Sequence, residues 1–285
     1  YVDTSLIKDM SNLFYKSKRK DFEGIEDWDV SNVTNMEMMF GYMDYHLMGR
    51  YSMTDFNPNL NNWNVSKVKS MNNMFAYCSN FDQPLDKWDV SNVEDMAFMF
   101  CGAKEFNQPL NSWNTSKVKN MRGMFQECEF FNQTLDKWDT SNVLYMIRMF
   151  FNAKSFNQDI GSWNVFSAIS MSYMFSGAES FDQSIENWTI NKSCDIKDIF
   201  SSSYNDMKSI LKIYFIAKGN YKKQLLSMLE NCDIKEVYKE VLKYNKLKDF
   251  VKKLENVYYE ELKELIENKE NILKEYKQNS KNKMI

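Results

Sequence analysis

Seven tryptophans, Trp28, Trp63, Trp88, Trp113, Trp138, Trp163 and Trp188, punctuate the chain, and the last six stand 25 residues apart. The first interval is 35 residues, one period plus an insertion placed at 41–55. A unit this short cannot bury its own apolar face, so it must stack on copies of itself. The expectation is therefore a solenoid over residues 1–200, an α/β repeat of about seven units with short parallel strands.

Reading down the period shows which positions face inward. Eight residues after each Trp come Met36, Met71, Met96, Met121, Met146, Met171 and Ile196; twelve after it, Phe40, Phe75, Phe100, Phe125, Phe150, Phe175 and Phe200. Further apolar columns hold Met or Ile eleven residues after the Trp, Phe seven before it, and Leu or Ile three before it. Each large side chain buried contributes roughly 1.5–3 kcal/mol before entropy, enough for repeated columns to hold a thin stack together. The segment LDKWDVS at 85–91 reads as the short strand, paired in parallel with its copies, with turns elsewhere and one short helical turn at Met-x-x-Met-Phe. Asn107-Gln108, Asn132-Gln133 and Asn157-Gln158 are expected to hydrogen-bond from rung to rung.

Cys78, Ala103, Cys128, Ala153 and Ala178 form a column that accepts only small side chains, which makes Cys78 and Cys128 buried thiols. Two rungs, roughly 10 Å, separate them, too far for a disulfide. Cys101, Cys194 and Cys232 form no close motif, so the chain reads as mostly reduced. The methionine columns sit at core positions and read as packing rather than as a soft-metal site.

After Phe200 the period stops, and residues 201–285 change to helical apolar spacing, for example Phe250, Val251, Leu254 and Val257. An all-α cap or small bundle is expected there, with the apolar stretch 210–217 (ILKIYFIA) covering the open end of the stack. Charge divides with it. Residues 1–200 carry 18 basic and 26 acidic side chains, and 201–285 carry 18 and 13. An acidic repeat region argues against nucleic acid as partner. No apolar run approaches the ~18 residues that span a bilayer, and no signal segment is visible. A chain starting at Tyr1 reads as a mature or excised piece.

The recurring pattern WDVSNVxxMxxMFxxAxxFNQxLxxW closely resembles the BspA-type leucine-rich repeats of bacterial surface proteins, over roughly residues 3–200. That resemblance implies a leucine-rich-repeat-like solenoid used for binding, on the cell surface or outside the cell, with no catalytic residues to carry over. The first unit lacks Phe-Asn-Gln, Phe166 replaces the usual Ser, and Asn191 stands there in the last unit. These departures read as atypical end units.

Two surfaces are candidates for a protein partner. One is the outward column Asp29, Asn64, Asp89, Asn114, Asp139, Asn164, which alternates acid and amide, with Lys67 and Lys117 alternating with Asn three residues further on. Relief of stacked like charge explains the same alternation. The other is the insertion, which gathers Tyr42, Tyr45, His46, Arg50 and Tyr51, including residue types that dominate binding hot spots. His46 is the only histidine, and no nucleophile elbow, phosphate loop, dinucleotide fingerprint or zinc-protease motif occurs. A non-enzymatic protein-binding module without cofactor or metal is expected. The alternatives are an intracellular scaffold whose C-terminal helices recruit the partner, in the cytoplasm, and a plain spacer.

Overall fold

The computed structural model describes residues 3–200, except Lys16, Lys18, Lys20, 42–54, Asp182, Ser184 and Glu186. The expectations for the C-terminal segment and for most of the insertion therefore fall outside the described residues.

One parallel bridge joins each rung to the next, running Asp9, Asn35, Ser70, Asp95, Asn120, Tyr145, Ser170, Asp195. The tryptophans mark seven rungs; the ladder adds an eighth before Trp28, in which Met10 and Phe14 take the places of the core Met and Phe. The insertion does not break register, because Met36 and Phe40 donate to the carbonyls of Ser70 and Met74 as in every other rung.

The paired segment is not the one expected. Around Trp88 the chain turns: Trp88 N–H donates to Leu85, and Val93 N–H to Val90. Leu85 and Trp88 are three apart, the span of a turn, and a strand needs a spacing of two. Pairing lies further on. Met71, Asn73, Phe75 and Tyr77 donate to the next rung at Asp95, Ala97, Met99 and Cys101, while Met74, Ala76 and Cys78 donate back to Met71, Asn73 and Phe75. Asn72 N–H reaches the Ser70 hydroxyl. Every backbone N–H from 71 to 78 is thus satisfied without a helix or an extended strand.

This zigzag needs two left-handed residues per rung. Asn73, Phe98, Gly123, Arg148 and Tyr173 hold the first position, all at φ 55 to 58°, and Tyr77, Gly102, Glu127, Asn152 and Gly177 the second. A left-handed residue interrupts any helix, so Met-x-x-Met-Phe forms consecutive turns; the one helical element among the described residues is a 3₁₀ turn at Ile25–Asp27. Where Gly occupies these columns, the neighbouring rung uses the space. A Cβ on Gly123 would lie 2.4 Å from the Phe98 ring.

The core is a set of ring stacks. Phe100 lies 4.0 Å from Phe106 in its own rung, 5.7 Å from Phe75 and 5.8 Å from Phe125, all near parallel. Trp88, Trp113, Trp138 and Trp163 stack at 6.4 Å and within 3° of parallel. Such ring pairs add about 0.5–1.5 kcal/mol each beyond burial. Each buried indole also needs an acceptor. From Trp63 to Trp188, every indole N–H donates at 2.9 Å to the Leu or Ile carbonyl of the preceding rung.

The expected amide ladder is present and makes two bonds per step. Asn107 Oδ1 accepts both the Asn132 N–H and the Gln133 amide, and Asn132 Oδ1 accepts those of Asn157 and Gln158. Cys78 and Cys128 are buried thiols, as expected, and Cys101 and Cys194 are buried as well. Burial pushes the Cys101 thiol up to about 12 and that of Cys194 to about 11.

Candidate interaction surface

The outward column after each Trp lies on the surface, and its first task is local. Oδ1 of Asp29, Asp89 and Asp139 accepts the N–H of Ser31, Ser91 and Ser141, and Asn64, Asn114 and Asn164 do the same for Ser66, Ser116 and Phe166. These are Asx turns, which acid and amide make equally well. The hydroxyl and N–H of Ser91 hold the Asp89 carboxyl below its ordinary range, helped by the charge of Lys117; Ser31 does the same for Asp29.

The alternating Asn and Lys have an equally local partner. Lys67 and Lys117 donate at 2.6 Å to Asn32 and Asn92 of the rung before, and the amides of Asn32, Asn92 and Asn142 donate to the carbonyls of Ser5, Ser66 and Ser116. The fifty-residue alternation is thus a two-rung hydrogen-bond ladder. The eight proposed contact residues of this face fall in two columns along the turns, and none is set apart from its copies. Tyr42, Tyr45, His46, Arg50 and Tyr51 of the insertion lie outside the described residues.

The rungs of Trp138 and Trp163 interrupt this surface. Where six earlier rungs have Ser, Phe166 stands 54% exposed, and where earlier rungs have Thr, Lys or Glu, Leu144 is half-buried and Ile169 50% exposed. Tyr145 replaces Asn, Ser or Asp on the bridge itself and is exposed. Ile169 N–H donates to the Leu144 carbonyl, so these side chains sit on directly bonded rungs. The Asn–Lys ladder stops here too, since Ser167 takes the place of the lysine that would meet Asn142.

Phe166 was readable in the sequence as a departure, but an end unit does not account for it, because the Trp188 rung continues the ladder beyond it. The signal that picks out the surface is several polar columns turning apolar in the same two rungs; Phe130, 52% exposed in a column that otherwise reads Asp, Asn, Glu or Ser, is a further departure in the Trp113 rung just before them. Elsewhere some exposed charges pair along the stack: Lys119 with Glu94 at 2.7 Å, and Lys104 with Glu129 at 3.0 Å. Among the described residues, no three His, Cys, Asp or Glu side chains come together as a metal site would need.

Rungs that bond only to their neighbours, with satisfied turns outside and ring stacks inside, define a repeat protein. Its family is given by three overlapping matches, at residues 1–45, 45–143 and 110–213: the chain belongs to the family described as Mycoplasma protein of unknown function, DUF285. No curated protein and no solved structure matches it.

Proposed function

We propose that the chain is a non-enzymatic protein-binding module that engages its partner through the exposed side chains of the Trp138 and Trp163 rungs. The observation that carries this reading is the exposure of Phe166 and Ile169 in columns that are polar in the preceding regular rungs. Neither side chain contributes a core contact of the kind its stack needs, and clustered exposed apolar groups mark contact surfaces.

The architecture proposed with it is a leucine-rich-repeat-like solenoid of the BspA type. Support comes from the one-bridge-per-rung parallel ladder and from the 25-residue Trp, Met and Phe columns. The same likeness makes a bacterial surface protein the proposed setting, with a helical C-terminal segment, no cofactor and no nucleic-acid partner. Protease treatment of intact cells tests the location: cleavage of the chain supports exposure at the surface, and full protection removes it.

Restoring the repeat tests the binding site. The full chain and its Phe166→Ser/Ile169→Lys variant are compared by cross-linking in native-cell and host-cell lysates. A cross-linked protein that disappears with the variant supports the reading. An identical set of products for both chains sinks it.

A further inference from the structure

Arg122 and Arg148 are exposed side chains of consecutive rungs, and each guanidinium is laid on aromatic rings. Arg122 stands 5.5 Å from the Phe98 centroid; Arg148 stands 5.3 Å from Phe151 and 5.4 Å from Tyr173. The backbone holds these rings in place. Phe98, Arg148 and Tyr173 are all left-handed residues of the same column, fixed by the ladder bonds on either side.

The charge of these two groups is unanswered. Among the described residues, neither lies within ion-pair distance of a carboxylate, a state they share with Lys69 and Lys137 and not with Lys104, Lys119 and Lys154. A guanidinium resting on a ring keeps its edge N–H groups in the fork that matches a carboxylate, and is more weakly hydrated than an ammonium. The ring contacts also restrict the side chain before a partner arrives, which lowers the ordering cost of binding. Tyr145 shares the rung of Arg148, and Ile169 that of Tyr173, so apolar and cationic groups occupy the same stretch of the stack.

We infer that this surface takes an acidic peptide segment, carboxylates alternating with apolar side chains, with Arg122 and Arg148 holding the carboxylates. The inference rests on the protein-binding reading above and adds the chemistry of the partner.

The test uses the full chain and two short fluorescein-labelled peptides, one alternating Glu and Leu and one alternating Lys and Leu, read by fluorescence anisotropy. The Glu–Leu peptide is expected to bind saturably, and the Lys–Leu peptide not to bind. Arg122→Ser and Arg148→Ser should each weaken the Glu–Leu complex by about five- to tenfold. Lys154→Ser, which removes an already paired charge, should leave it unchanged. The inference is overturned by no binding of the Glu–Leu peptide, by equal binding of both peptides, or by unchanged affinity in both arginine variants. The outcome for the wider reading is separate: equal binding that vanishes in Phe166→Ser/Ile169→Lys keeps the contact surface and discards only its carboxylate preference.

Discussion

The Trp88 and Trp113 rungs and the Trp138 and Trp163 rungs share one core and differ at the surface. In the first pair, Lys117 meets Asn92 and Lys119 meets Glu94, so polar side chains answer one another up the stack. In the second pair Phe166, Ile169, Leu144 and Tyr145 occupy equivalent positions, and Ser167 leaves the ladder open. Core columns tolerate little change because each ring touches its copies on both sides; turn columns bond locally and can be exchanged. A repeat that needs only its core to stack can therefore give up polar surface in chosen rungs, and those rungs are where function is to be sought.

The sharpest break of that comparison is in the shared core. Phe100→Ala removes a ring stacked against Phe75, Phe106 and Phe125, and should cost about 3–5 kcal/mol in denaturant unfolding. Trp113→Phe keeps much of the ring and removes the indole bond to the Leu85 carbonyl, which retains the Trp88 N–H, an expected loss of about 0.5–1.5 kcal/mol by the same measurement.

Acid provides a gentler test on the turn column. The Asp89 carboxyl is held below its ordinary range in the folded chain by Ser91 and Lys117. A group with a lowered folded pKa stabilises above its unfolded value, roughly 3.9 for Asp, and loses that contribution as pH falls through the folded value. Asp89→Asn keeps the Asx turn, as Asn114 shows, so its unfolding curve should depend less steeply on pH below about 4. An unchanged slope would mean that the Ser91 bonds carry no net stability.

At the surface the effects become small. Ser167→Lys should rebuild the missing step onto Asn142 and raise stability by about 0.2–1 kcal/mol in thermal unfolding, as an exposed pair does. Phe166→Ser should move stability by less than about 0.5 kcal/mol while removing partner capture. If Phe166→Ser instead destabilises like Phe100→Ala, the distinction between core rungs and contact rungs fails.

Much of this was written in the columns. The buried Met and Phe, the small column of Cys78 and Cys128, and the Asn-Gln ladder all follow from asking which positions repeat, because a repeated position has its own copy as neighbour. The pairing segment was not legible, because it depends on the sign of φ at two positions per rung. Asn73, Phe98, Gly123, Arg148 and Tyr173 share one left-handed conformation and no common side-chain chemistry. The acid and amide column carried two readings in the sequence, recognition pattern and relief of stacked charge; the structure adds a local role, since one oxygen of each side chain closes an Asx turn that any Asx residue makes.

The sequence by itself determined that the chain stacks, which columns are buried and where the rungs begin, since period and apolarity are properties of the string. Only the tertiary structure decided which segment bridges the rungs, that an eighth rung precedes the first tryptophan, and that two arginines lie on rings with no carboxylate in ion-pair distance among the described residues. Those outcomes depend on backbone sign and on contacts between residues 25 apart, where a side chain meets its neighbour only after the stack has formed.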